Sequence, residues 1–294
     1  MSPKENNLIQ VNIAVLIWGG TAMFAKAIEM PVPELTFWRS LFAAASIFVF
    51  LKIRRLPVRA NSRQDLILLI GLGLCLCLHW LTYFQALKIS SAAVAILALH
   101  TYPIFTALIE PLIVGARLKK TDLALAVGAF ISILIMMPEI NLSNRTTQGI
   151  LIGILSGLFF MTRNLMIRRL VQTYPSSTLM YWQIVVTGIV LIPALFTGER
   201  PTYSGQTFLM LFLLGSFFTA LPQTLYASGL KHLSARTVGI LASLLPLYGA
   251  IFGYFIHSEQ LSLRTAIGGG FILFCVVFEN ARQASENRNA RKAT

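Results

Sequence analysis

Tyr83-Phe84-Gln85-Ala86-Leu87-Lys88-Ile89-Ser90-Ser91 returns 143 residues later as Tyr226-Ala227-Ser228-Gly229-Leu230-Lys231-His232-Leu233-Ser234, and the same register pairs Pro103 with Pro246. Read without gaps from Tyr83 to Leu118, the two copies agree at 9 of 36 positions. Leu, Ala and Ile match easily in so apolar a chain. The weight therefore rests on Tyr, Lys, Ser and Pro recurring in order, the mark of an internal duplication.

The medium in which the repeats fold follows from composition. Hydrophobic residues make up 56% of the 294 and charged residues 12%, against about 45–50% and about 25% in soluble domains. Such a chain cannot cover itself with polar surface and belongs in a bilayer. Apolar runs near the roughly 20 residues needed to span occur at 8–28, 34–51, 66–87, 91–113, 121–137, 148–167, 177–196, 206–227, 234–256 and 263–280. The expected fold is an all-α integral membrane protein of ten transmembrane helices. Tyr83 ends the third span and Tyr226 the eighth, and an offset of five reverses direction across the membrane. The halves, residues 1–146 and 147–294, are thus expected to be inverted five-helix repeats, the second with a short basic tail.

The net charge of +13 would suggest nucleic acid in a soluble protein, but its distribution argues otherwise. With the N-terminus inside, seventeen of the 24 cations fall on one side, chiefly in 52–63, 117–120 and the tail from Arg282; only Lys88, Arg145, Arg200 and Arg264 occupy the other loops. This positive-inside asymmetry puts both termini in the cytoplasm of a bacterial inner membrane. Ala25-Lys26-Ala27 resembles a cleavage site, but the run before it is long and further spans follow, so an uncleaved first helix is expected. Cys75, Cys77 and Cys275 all fall within spans and read as packing residues, neither a disulfide framework nor a metal site. Gly149, Gly153 and Gly157, like Gly249 and Gly253, are four apart on one helix face. They are expected to let helices approach inside one subunit, with a homodimer contact left open.

Tyr-x-x-Ala-Leu-Lys-x-x-Ser ahead of a proline-containing apolar helix, Trp18-Gly19-Gly20, Pro33-Glu34-Leu35-Thr36-Phe37-Trp38-Arg39 and Glu259-Gln260-Leu261-Ser262-Leu263-Arg264-Thr265-Ala266-Ile267-Gly268 together resemble the EamA-type transporters of the drug/metabolite transporter superfamily. The resemblance covers nearly the whole chain. It departs at Ala116, where the second copy has Glu259.

Charged side chains at bilayer depth cost about 2.5–3.5 kcal/mol or more and should face a cavity or a partner. At about 1.5 Å per residue, Arg39, His79 and His100 lie about 7, 12 and 13 Å below one boundary. Together they are expected to converge on one cavity, with Trp18, Trp80, Tyr83, Tyr102 and Tyr248 as further solute contacts. Snorkelling competes as a reading for Lys26 and Arg39, plain packing for the histidines, and a paired structural role for Arg163. Cations without acids near the midplane favour a carboxylate-bearing solute. Pro103 and Pro246 sit mid-span at matching positions and are expected to bend the fourth and ninth helices as gates.

The expected function is export of amino acids or related carboxylates by alternating access. His79, His100 or Glu110 would couple transport to protons, and no GxxxxGK[ST] run exists to power it with nucleotide. Uptake of a vitamin or nucleoside-like metabolite, or multidrug efflux, is the alternative. A membrane-embedded lipid enzyme would want a nucleophile, a metal cluster or paired carboxylates, and the sparse acids offer none. Neither cofactor nor catalytic residue is expected; the partners are a small solute and lipid.

Overall fold

A computed structural model describes residues 3–113, 115, 118–139, 141–170, 173–196, 204–230 and 241–292. They form ten helices: α1 (Pro3–Ala27), α2 (Val32–Ile53), α3 (Arg63–Ile89), α4 (Ala92–Ile113), α5 (Lys120–Met136), α6 (Arg145–Leu170), α7 (Ser176–Val190), α8 (Gly205–Leu230), α9 (Leu245–His257) and α10 (Leu263–Lys292). On length and apolarity alone, α2, α3, α4, α6, α8 and the run of α7 extended through a 3₁₀ turn to Phe196 suffice to cross a membrane. Residues 231–240, which begin the ninth predicted span, lie outside the described residues, as does the Lys26 side chain.

The duplication is written in the backbone as well as in the letters. Pro31 and Pro175, 144 residues apart, precede α2 and α7 with the same conformation, φ −53°, ψ 140° and φ −57°, ψ 139°. Proline suits that place because a helix start has no use for its missing N–H. Gly115 and Ser258, 143 apart, follow α4 and α9 in the left-handed region, at φ 71° and 53°, where a helix commonly ends.

Helix pairing obeys the same exchange. When each helix of the first half is swapped for its counterpart five further on, the packing of α3 on α6 becomes that of α8 on α1, and α4 on α6 becomes α9 on α1. The contacts of α2 with α7, α4 with α9 and α5 with α10 map onto themselves, as a two-fold axis between inverted repeats requires. Gly149, Gly153 and Gly157 seat α6 against Ser90, Ala98 and the Leu99 carbonyl, so that face packs within the chain. The polarity is inside-out relative to a soluble protein. Phe196 and Phe255 are 80% and 77% exposed, while Arg39, His79, His100, Arg163 and Gln183 are buried.

Three helices are interrupted or locally rewound near the middle. The helical run of α4 stops at His100–Thr101, between Ala92–Leu99 and Tyr102–Ile113, and Pro103 is the second residue of the resumed segment. Pro246 is likewise the second residue of α9, behind a turn at Ser243–Leu244. The sequence predicts prolines bending a continuous helix; the structure instead starts a new segment at each, where proline is tolerated. In α8 a π turn, Ser216–Ala220, separates Gly205–Gly215 from Leu221–Leu230. There the Thr219 hydroxyl donates to the Leu214 carbonyl at 2.7 Å.

At the end of the bundle that carries the termini, α5 and α10 are tied by Arg282. Its guanidinium donates to both Glu279 carboxylate oxygens, at 3.0 and 2.9 Å, and to Asp122. Both acids are buried, so removing the arginine strands two carboxylates. Arg282→Ala is expected to lower unfolding free energy by about 3 kcal/mol, seen as a lower melting temperature in detergent, with Arg282→Lys recovering part of it. An unchanged melting temperature in the alanine variant would remove this triad from the account of α5–α10 packing.

Candidate functional site

A proline at position i leaves the carbonyl at i−4 without its helical donor. Pro103 and Pro246 therefore free the carbonyls of Leu99 and Ala242, and both residues line one cavity of about 370 Å³ between the halves. Its wall draws on α1, α2, α3, α4, α6, α7, α8 and α9.

Arg39 enters from α2. Its Nε donates to Thr219 Oγ1 at 2.7 Å, so the π turn of α8 is what aims that hydroxyl at the guanidinium, a use of π geometry common at functional sites. The guanidinium lies over the Trp80 ring at 4.1 Å and near that of Phe84 at 4.8 Å. Nη1 is buried without a partner. Arg163 enters from α6, donating from Nε to Gln183 Oε1 and from Nη1 to Asn164 Oδ1 at 3.4 Å.

His79 is fixed by α6. Ser156 Oγ gives its proton to the His79 carbonyl at 2.9 Å; it therefore accepts from His79 Nδ1 at 2.8 Å, which leaves Nε2 for the cavity. His100 Nδ1 donates to the Ile96 carbonyl at 2.8 Å, and the Ala242 carbonyl freed by Pro246 faces the same ring. The α4 break and the start of α9 thus meet at one imidazole. Tyr102 packs edge-on to Phe160 at 4.8 Å, and Trp18 against Tyr226 at 5.0 Å.

Seven sequence-derived candidates, Arg39, His79, His100, Trp18, Trp80, Tyr83 and Tyr102, thus line a single cavity. Tyr248 does not; it packs on Gly19 and on Val11 and Val15 of α1. Glu110 lies further along α4, outside the lining, and Pro103 and Pro246 act through the carbonyls they free. Gln183, Tyr226, Thr21 and Gln223 join the wall without having been singled out, and so does Arg163, for which a paired structural role was one of two open readings. A signal existed for two of these, since Trp182-Gln183 repeats Trp38-Arg39 at an offset of 144 and Tyr226 repeats Tyr83 at 143.

The cavity is eccentric. At the termini end it reaches Ile167, near the close of α6, and Ser176, the first residue of α7. At the far end, side chains tie elements to one another outside the lining. Lys88 Nζ donates to the carbonyls of Ile28 and Met30, joining α3 to the α1–α2 turn. Glu259 Oε2 accepts from the Ala92 amide at 2.9 Å, capping α4 from the α9–α10 loop. A carboxylate suits that position because the first amides of a helix are unpaired and carry partial positive charge.

Comparison with known proteins bears on this arrangement. The model of the EamA-like transporter family matches twice, over residues 8–137 and 147–280. The chain belongs to the EamA-like transporter family. An uncharacterized transporter of Archaeoglobus fulgidus is 27% identical over 262 residues, 89% of this chain and 91% of that protein. Pseudopaline exporter CntI of Pseudomonas aeruginosa is 23% identical over 86% of this chain and 88% of its own. A solved crystal structure shares the fold, with a TM-score of 0.67 over 95% of this chain and 98% of that one, at 18% identity. This EamA-like protein is therefore a membrane transporter, and its cavity lies where transporters with internal repeats bind solute, at the interface of the halves.

The far-end contacts predict a change in access. In a background with Cys75, Cys77 and Cys275 replaced by serine, Leu99→Cys should react slowly with an impermeant thiol reagent applied from the far side. Adding Glu259→Ala and Lys88→Ala should speed that reaction about tenfold, the effect of about 1.4 kcal/mol on the equilibrium between closed and open forms. An unchanged rate would mean that these contacts do not hold the far end closed.

Proposed function

We propose that this transporter exports small organic solutes bearing a carboxylate, amino acids and related metabolites among them, from a bacterial cytoplasm by alternating access. Both termini lie on the cytoplasmic side, in keeping with the cation asymmetry, so the cavity reaches toward the cytoplasm. One observation carries the reading. Among the described residues the cavity wall holds Arg39 and Arg163 and no Asp or Glu, so the charge it offers is of one sign. A carboxylate accepts charge-assisted, bidentate hydrogen bonds from guanidinium. The Pseudomonas relative is a pseudopaline exporter, which agrees with an outward direction.

Proton coupling in this scheme falls to His79 and His100, because Glu110 stands outside the wall. His100 faces two carbonyl acceptors, Ile96 on its own helix and Ala242 in the other half. A neutral imidazole has one N–H, which goes to Ile96; a protonated ring has a second to offer the other half. Taking up a proton therefore tightens the tie between α4 and α9, and losing it loosens the tie.

Counterflow in proteoliposomes tests the proposal. Liposomes loaded with a carboxylate solute are expected to take up its labelled form, whereas those loaded with an amine or a neutral sugar should not. Arg39→Gln should cut the rate about tenfold or more at equal incorporation, the loss of a charge-assisted hydrogen bond, and Arg39→Lys should keep part of it. His100→Gln should preserve counterflow but abolish accumulation driven by a pH gradient. Full counterflow in the Arg39→Gln protein would take Arg39 out of the site, and uptake of amines alone would overturn the carboxylate reading.

A further inference from the structure

The geometry points to a dianionic solute held between Arg39 and Arg163, with an acid group at each end of an apolar spacer. This deepens the carboxylate reading above and rests on it.

The two guanidinium groups are nearly inaccessible, their residues 4% and 7% exposed, yet among the described residues neither is paired with a carboxylate. Their partners are neutral. Arg39 has the Thr219 hydroxyl and two ring faces; Arg163 has the amide oxygens of Gln183 and Asn164 and, at 3.5 Å, the Met180 sulfur. Neutral groups orient a guanidinium without cancelling its charge, and buried charge is costly until an opposite charge arrives. Each site therefore gains from one anion.

A run of rings connects them, of which Tyr83, His79 and Phe160 line the cavity while Phe84 is buried outside its lining. Phe84, beside Arg39, meets Tyr83 at 5.5 Å; Tyr83 stacks on His79 at 6.0 Å; His79 meets Phe160 at 4.9 Å; and Arg163 lies 5.6 Å from the Phe160 ring. The cations thus stand at the two ends of one ring-lined wall. A solute lying along it places apolar atoms against the rings and an acid group at each guanidinium. A monocarboxylate leaves one arginine uncompensated. Among the amino acids of that reading, one with a neutral side chain fits least well, since it brings an ammonium and a single carboxylate to a wall that, among the described residues, has two guanidinium groups and no carboxylate.

The test is ligand-dependent thermal stabilisation of the purified full-length protein in detergent. The probes are succinate, adipate and suberate, with hexanoate and leucine for comparison. The expected result is that one dicarboxylate binds about tenfold or more tightly than hexanoate or leucine, with an optimum in spacer length. Arg39→Gln and Arg163→Gln should each bring that dicarboxylate down to the level of hexanoate. Arg163→Lys, which keeps the charge, should retain a preference for it. Leucine or hexanoate binding as tightly as every dicarboxylate would overturn the dianion assignment and leave the carboxylate reading standing. So would an unchanged dicarboxylate affinity in Arg163→Gln. No response to any of the five acids, with carboxylate counterflow absent, would remove both.

Discussion

The structure depends on holding positive charge inside the helical bundle, where among the described residues no carboxylate lines the cavity to balance it. Arg39 and Arg163 are kept there by neutral hydrogen bonds and ring faces, and much of the irregular geometry serves that end. The π turn of α8 presents Thr219 to Arg39. Gln183, one turn above Leu179, donates its amide to that residue's carbonyl at 2.8 Å while its oxygen receives Arg163. A charge so prepared is attractive to an anion because the protein has already met the cost of ordering the donors. It is also a reason for the bundle to exclude lipid from this region, since an arginine facing hydrocarbon would have no such partners.

The inverted duplication turns that binding place into a transport device. Helices whose contacts exchange under a two-fold axis can trade the packing at one end for its equivalent at the other with little net change in buried surface. The exchange is imperfect, and the imperfection has a direction. Glu259 caps α4 at the far end, but the corresponding first-half residue is Ala116, which has no carboxylate. The far end thus holds a contact that the repeat register does not duplicate at the termini end, and a difference of about 1.4 kcal/mol suffices for a tenfold bias in population.

Much of this was legible in the letters because the duplication fixes register. Once Tyr83 pairs with Tyr226 and Pro103 with Pro246, the span count, the inversion and the convergence of Arg39, His79 and His100 follow from periodicity and depth. What was not legible depends on tertiary partners. Pro103 marks a place where α4 cannot continue unchanged, but whether the chain bends or restarts is decided by who receives the freed carbonyls, and for Ala242 that neighbour is His100 in the other half. The π turn has no sequence signature beyond the Thr219 hydroxyl. Arg163 was ambiguous because its depth alone does not say which way it faces, and Tyr248, chosen for its nearness to a proline, sits on the α1 side of its helix.

The central claim is that one cavity is served alternately from two ends by the relative movement of inverted halves. Paired spin labels at exposed positions measure both ends at once, Asn6 with Thr173 at the termini end and Ser143 with Gln260 at the far end. On adding a transported solute, the account predicts that the two distance distributions shift in opposite directions, one pair closing as the other opens. Distances that change together, or that do not respond to a solute the protein transports, would contradict it.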